Sequence, residues 1–295
     1  MTSVCGNLVR MIVTRFAPSP TGYLHLGHAF AAITAHDTAR RSGGGFLLRI
    51  EDIDSSRCRA EFERAIYDDL VWLGLKWGEP AVRQSERFDA YRLALQQLQS
   101  QALLYPCFCT RSEIAAEIAR ASEAPHGPEG PIYPGTCRNL KPSEREHRMQ
   151  SGASYALRLD VNQAVALAGP LHFEEQGSGP DGEMGMIGAD PRLFGDVVLA
   201  RKDTPASYHL CVTFDDALQG VTLVTRGEDL KPATHLHRLL QALMGWPTPI
   251  YAHHRLLTDA AGRRLAKRDR AASLRDLRAQ GHSAAEVRAL AGHAD

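Results

Sequence analysis

The chain of 295 residues has no net charge, because 34 lysines and arginines are matched by 34 aspartates and glutamates. That balance excludes a protein that coats nucleic acid through bulk charge, while leaving room for RNA contacts through a local basic patch. No apolar run approaches the roughly 18 residues needed to cross a bilayer. The opening stretch, MTSVCGNLVRMIV, has one arginine and no long apolar core ahead of a small-residue cleavage site. No signal peptide is therefore expected, and the protein is expected in the cytoplasm. Cysteine is sparse, six residues in all, and gives little reason to expect disulfides. There is no internal repeat and no low-complexity tract. What is left is a chain with 44% hydrophobic residues, long enough for a sizeable core in one or two domains.

Hydrophobic periodicity organises that chain. MIVTRF at 11–16 reads as a buried strand, HAFAAITAHDTARR as a helix ending at Gly43–Gly45, and FLLRIED as a second strand. This βαβ unit predicts parallel strands. Two amphipathic helices are expected near Ala60–Leu73 and Glu86–Leu104. From about Pro106 to Pro191 the composition shifts to a loop-rich insertion with a strand-like YALRLD. Strand-like runs return at DVVLARK, SYHLCVTFDD and VTLVTRG, followed by a helix, PATHLHRLLQALMG, and two short terminal helices.

The stretch RFAPSPTGYLHLGH ends the first strand in a Pro-rich turn and opens the helix with two histidines. Ligands of parallel α/β sheets bind beyond the carboxyl ends of the strands. A helix N-terminus there suits phosphate. His25 and His28 lie one turn apart on one face, and Gly27 lets a flat ring approach the backbone. Paired imidazoles can donate to polyphosphate oxygens and stabilise charge developing at phosphorus. Far along the chain, GRRLAKRD at 262–269 places Arg263, Arg264, Lys267 and Arg268 together, a basic loop able to clamp a triphosphate. Alone, the first is equally an ordinary histidine pair, and the second is more often a solvated loop. Together they describe a nucleotidyl-transfer site. Cys107, Cys109 and Cys137 are either small buried side chains or three thiolates needing one more donor to hold zinc.

In these blocks the sequence resembles class I aminoacyl-tRNA synthetases of the glutamyl/glutaminyl branch. HLGH, RIEDID at 49–54, SYHLCVTFDD, VTRGEDL, HHRLLTD and RLAKR at 264–268 follow in the family's order from about Met11 to Asp269. The lysine-loop block departs from its pattern at Arg264 and Ala266, and Val212 stands where full-length glutamyl enzymes tend to have Asn. Fewer than 30 residues follow Asp269, so the expected likeness is to the truncated glutamyl-Q tRNA(Asp) synthetase family rather than to enzymes with an anticodon-binding domain.

The resemblance implies an α/β fold with a Rossmann-like catalytic domain in two halves, 11–105 and 191–255. A zinc-bearing, acceptor-binding-like insertion at 106–190 would separate them, with a lysine-loop and short helical segment at 256–295. It implies that L-glutamate is activated by ATP, with Mg2+, without tRNA, and then passed to queuosine in the tRNA(Asp) anticodon loop. His25, His28 and Lys267 would be catalytic, and with Gly27 would bind nucleotide. A carboxylate calls for a planar, bidentate cation, and the matching positions for glutamate's γ-carboxylate are Arg15 and Arg226. Glu51 would take the α-ammonium, and Ser19 and Tyr208 would orient the substrate. Cys107, Cys109, Tyr133 and Cys137 would hold one structural zinc, and a monomer is expected. The rivals are a glutamyl-tRNA synthetase fragment charging a 3′ end, a small-molecule nucleotidyltransferase, and a noncatalytic RNA-binding paralogue.

Overall fold

A computed structural model describes residues 11–120, 126–177, 183–258 and 272–293. The basic run 263–270, Lys267 included, and the N-terminal stretch 1–10 lie outside the described residues.

The first half is the expected βαβ unit. Strand β1 (Val13–Phe16), helix α1 (Leu26–Arg41) and strand β2 (Gly45–Ile50) lead to α2 (Ala60–Trp72) and β3 (Gly78–Arg83). The three strands form a parallel sheet in the order β1-β2-β3. The buried face of α1 carries four alanines with Phe30 and Ile33, and small residues there let the helix sit close to the sheet. The expected helix at 86–104 is shorter. A 3-10 turn at Gln84–Arg87 precedes α3 (Phe88–Ser100), and the chain then turns into β4 (Leu104–Cys107).

The region read as loops has more structure. It holds α4 (Arg111–Arg120), the short pair β5 (His126–Gly127) and β6 (Gly130–Pro131), α5 (Pro142–Gln150), β7 (Ala156–Leu159) and α6 (Val161–Ala168). Strands β8 (His172–Glu175) and β9 (Gly185–Gly188) come next, then β10 (Val198–Ala200). Pairing crosses the compositional boundaries: β10 joins β7 and β4, whereas β8 and β9 join the second catalytic sheet.

That second half contains α7 (Tyr208–Leu218), β11 (Leu223–Gly227), α8 (Lys231–Met244) and β12 (Ile250–His254). Its sheet runs β11-β12-β8-β9, with β11, β12 and β8 parallel. Thr222 joins the two halves: its N–H donates to Val13 O at 2.9 Å and its Oγ1 accepts from Val13 N at 2.7 Å. The carboxyl ends of β1 and β11 thus lie side by side. SYHLCVTFDD is the helix α7, not a strand. Its β-branched and aromatic content argues for a strand, but burial of seven of its eleven residues overrides local preference. Helices α9 (Leu274–Ala279) and α10 (Ala284–Leu290) fold back on the first half, where Leu274, Leu277 and Val287 join the core of α1 and β2. The chain is thus α/β, with Rossmann-like parallel strands and an inserted region, the fold class expected.

Candidate active site

The Pro-rich turn after β1 is tied to the end of β2, since Glu51 N–H donates to Pro18 O at 3.0 Å. It delivers His25 as the N-cap of α1. Gly27 N–H donates to His25 Nδ1 at 3.1 Å, and His25 N–H donates to His28 Nδ1 at 3.2 Å. Each imidazole therefore accepts at Nδ1. A neutral ring that does so carries its proton on Nε2, so the cap selects a donor-at-Nε2 tautomer for both rings. Their centroids are 3.9 Å apart. Gly27 has a closer reason than an incoming ligand: a Cβ there would lie 3.0 Å from Cε1 of His25. From the far end of the chain, Leu274 N–H donates to Leu24 O at 2.8 Å and braces the turn. A cavity of about 190 Å³ opens against His25, Gly27 and His28, with Phe30, Gly227 and His254 across it.

A larger neighbouring cavity of about 490 Å³ shares His28 and Gly227 with the first. Arg15, Ser19, Glu51, Tyr208 and Arg226 all line it, together with His28. The structure thus brings these six together, while Lys267 lies outside the described residues. Val212 is both buried and part of this wall.

The two arginines differ in how their charge is met. Arg15 is paired with Asp216, Nε to Oδ1 at 3.0 Å and Nη2 to Oδ2 at 3.4 Å, and Nη1 donates to Thr225 O. Arg49, fully buried, adds an ion pair to Asp216 at 2.8 Å, a 3.5 Å contact to Glu51 and a 3.9 Å contact to Asp215. Arg87 pairs with Asp215 at 3.1 Å. Three guanidinium groups thus face three carboxylates. Burial works against the charge on Arg49, but Asp216, Glu51 and Asp215 more than offset it and its pKa is raised. Burial also opposes the charge on Asp216, yet Arg15 and Arg49 hold it below the usual carboxylate range.

Arg226 has no carboxylate within ion-pair distance among the described residues. Its Nε donates to His253 Nε2 at 3.1 Å, Nη1 to His237 Nδ1 at 3.2 Å and Nη2 to Thr234 Oγ1 at 2.6 Å. All three acceptors are neutral, and the residue is 94% buried at the cavity wall. A guanidinium has five donors, so two N–H groups, one on each terminal nitrogen, stay outside these bonds. A buried cation whose matching anion is missing is a site that demands one. Across the cavity, Glu51 is pushed up to about 7 by burial, with Arg49 and Arg15 pulling the other way. It is poised to gain charge when a cation arrives.

Within the insertion, the Sγ atoms of Cys107, Cys109 and Cys137 lie within 4.8 Å of one another. Cys109 and Cys137 are 3.4 Å apart, and Tyr133 Oη is 3.5 Å from Cys107 Sγ and 3.6 Å from Cys109 Sγ. Tetrahedral zinc with ordinary bond lengths has edges of about 3.8 Å between sulfurs and about 3.5 Å from sulfur to oxygen. The donor set and its spacing fit a metal ion. Phe108 N–H points at Cys137 Sγ at 3.4 Å, a contact that favours thiolate.

Sequence reasoning missed Arg49, Asp216, Thr225, His237 and His253. Signals for some were present. Arg49 is two residues before Glu51, on the same face of an extended chain. The parallel register sets His253 directly opposite Arg226. Tyr208, Val212 and Asp216 recur every four residues, one face of a helix, and were hidden by reading that stretch as a strand. Thr225 Oγ1, buried in the cavity wall without a hydrogen-bond partner, could only be found in three dimensions.

Comparison with known proteins places this site in context. The family model for tRNA synthetases class I (E and Q), catalytic domain, matches residues 11–290. The glutamyl-Q tRNA(Asp) synthetase of Rhodobacter capsulatus is 50% identical over 287 residues, covering 95% of this chain and 100% of that protein. The protein of the same name from Symbiobacterium thermophilum is 43% identical, covering 92% and 83%. Among solved structures, a glutamate-tRNA synthetase from Elizabethkingia anophelis superposes with a TM-score of 0.73 at 30% identity, covering 88% of this chain and 53% of that one.

Proposed function

The chain belongs to the glutamyl-Q tRNA(Asp) synthetase family of class I synthetases, and from that premise we propose that it activates L-glutamate with ATP and transfers it to queuosine in the anticodon loop of tRNA(Asp). In the first step a glutamate α-carboxylate oxygen attacks the α-phosphorus of ATP and pyrophosphate leaves. In the second, a hydroxyl of the acceptor attacks the acyl carbon and AMP leaves.

The observation that carries this reading is Arg226, a buried cation held by neutral partners at the wall of a cavity that also contains Glu51. Its two remaining donors suit the γ-carboxylate, with Arg15 beside it. Glu51 receives the α-ammonium, and Ser19 and Tyr208 orient the chain between them. His25 and His28 offer Nε2–H groups to the phosphates. Gly27 keeps their turn tight, and Lys267 supplies a further cation at the leaving pyrophosphate. These donors act where charge develops in the transition state. Mg2+ would accompany ATP. Cys107, Cys109, Tyr133 and Cys137 would hold zinc, which when bound clamps the insertion and takes no part in the chemistry. The protein would act as a monomer in the cytoplasm. Among the described residues, no helix is long and apolar enough to cross a membrane.

Glutamate-dependent exchange of pyrophosphate into ATP in the absence of tRNA tests the activation step. Exchange that appears only when tRNA is added would overturn it.

A further inference from the structure

We propose that the short hairpin of the insertion is part of the amino-acid site: Glu129, through His209 and His237, is a positioning residue for Arg226. The inference rests on the glutamate-activating reading above and adds to it residues that neither the sequence motifs nor the activity assigns.

The Arg226 guanidinium can only donate. Because Arg226 Nη1 lies 3.2 Å from His237 Nδ1, that nitrogen must accept, and the proton of His237 is on Nε2. His237 Nε2 is 3.2 Å from His209 Nδ1, so it donates there, and His209 in turn carries its proton on Nε2. His209 Nε2 lies 3.1 Å from Glu129 Oε1, and the chain ends on a carboxylate. Every link has one direction, set from the arginine outward. A second arm has the same logic. Arg226 Nε donates to His253 Nε2, and His253 Nδ1 donates to Glu175 Oε2 at 2.5 Å.

Arg226 is thus countered by two carboxylates, each separated from it by imidazole. This arrangement secures the cation in place without occupying the donors a substrate needs. The two arms differ in origin. Glu175 and His253 are both about 1% exposed and belong to the catalytic sheet. Glu129 lies between β5 and β6, its side chain is 61% exposed, and it lines both the glutamate cavity and the adjoining cavity beneath the insertion. Burial and the nearby Arg226 hold His237 well below its ordinary pKa, consistent with the neutral ring the chain requires.

Arg226 fixes the tautomers, and the Glu129 carboxylate stabilises the His209 Nε2–H that they require. Without that acceptor His209 polarises His237 less, and His237 Nδ1 becomes a weaker acceptor for Arg226. The guanidinium is then held less firmly in the orientation the substrate needs. The test is pyrophosphate exchange without tRNA on the full-length protein and on Glu129→Ala, Glu129→Gln and His237→Leu. One hydrogen bond of ordinary strength corresponds to about 3–10-fold. Glu129→Ala should raise the KM for glutamate by that factor, with kcat and the KM for ATP within twofold. Glu129→Gln, whose amide oxygen accepts the same N–H, should restore most of it. His237→Leu, which removes the acceptor outright, should raise the KM further. The exposed position of Glu129 keeps folding out of the comparison, and a merely structural role would not give a KM effect rescued by Gln. A glutamate KM unchanged in Glu129→Ala, a fall in kcat alone, or failure of Gln to rescue would overturn the chain while leaving the proposed function standing. A parent protein with no glutamate-dependent exchange would overturn both.

Discussion

Glu51 offers a prediction in which pH alone is the perturbation. In the ligand-free protein its carboxyl is pushed up to about 7, chiefly by burial, yet only the carboxylate can pair with an α-ammonium. With that pKa the ionised fraction is about 0.1 at pH 6 and about 0.9 at pH 8. A ligand that needs the minor form binds more weakly by that fraction, so the KM for glutamate should fall about tenfold from pH 6 to pH 8. The neighbouring histidines do not supply this slope, because burial lowers the pKa of both His237 and His253 from the ordinary histidine value. The same shift has a stability signature of opposite sense. Between the ordinary carboxylate range and about 7, the folded protein retains a proton that the unfolded chain has released, so stability declines as pH rises through that window. The full effect is about 3 kcal/mol. Glu51→Gln cannot ionise and should flatten the part of both profiles due to Glu51, at the cost of a higher glutamate KM throughout. The assay is pyrophosphate exchange at several pH values, with denaturant melts of both proteins. A parent KM that is equal at pH 6 and pH 8, or a slope that persists in Glu51→Gln, would refute the assignment.

Arg226→Gln should raise the KM for glutamate by about two to four decades, because breaking a buried ion pair costs about 3–5 kcal/mol. Denaturant melts should find the ligand-free variant no less stable by more than about 1 kcal/mol, since a buried cation lacking a direct carboxylate partner adds little to folding. His28→Ala and Lys267→Ala should each slow exchange by about 10²–10³, the worth of one well-placed donor; unchanged rates in both would remove the HLGH turn and the lysine loop from the chemistry. Purified protein made with zinc present should contain about one zinc per chain, and Cys109→Ser should lower that content. Full activity with no metal detected would reject the site.

Much of this fold and site was legible in the sequence, for physical reasons. The βαβ unit was visible because its helix and strands have distinct periods, and the HLGH turn because it opens a helix beyond the carboxyl end of a strand. Cys107, Cys109, Tyr133 and Cys137, separated by up to 30 positions, were brought to one cluster by the family resemblance, and their donors do converge. What was hidden depends on non-local contact. α7 read as a strand because its burial on nearly every side erases helical periodicity. Nothing local shows that Asp216, two hundred positions away, takes Arg15, or that Arg49 approaches Glu51. The neutral setting of Arg226 depends on His237 from α8 and His253 from β12, and only the register of β11 with β12 brings the latter alongside. The helices of the insertion were lost to a composition rich in glycine and proline on either side of them.

The central claim is that glutamate goes to a modified base in the anticodon loop and not to the 3′ end. The most direct measurement gives the protein labelled glutamate, ATP and tRNA(Asp), with and without queuosine, and then oxidises or removes the 3′-terminal adenosine. Label is expected only on queuosine-containing tRNA, retained after the terminal adenosine is destroyed. Label that appears on both tRNAs, or that is lost with that adenosine, would contradict it and make the protein an enzyme that charges the 3′ end.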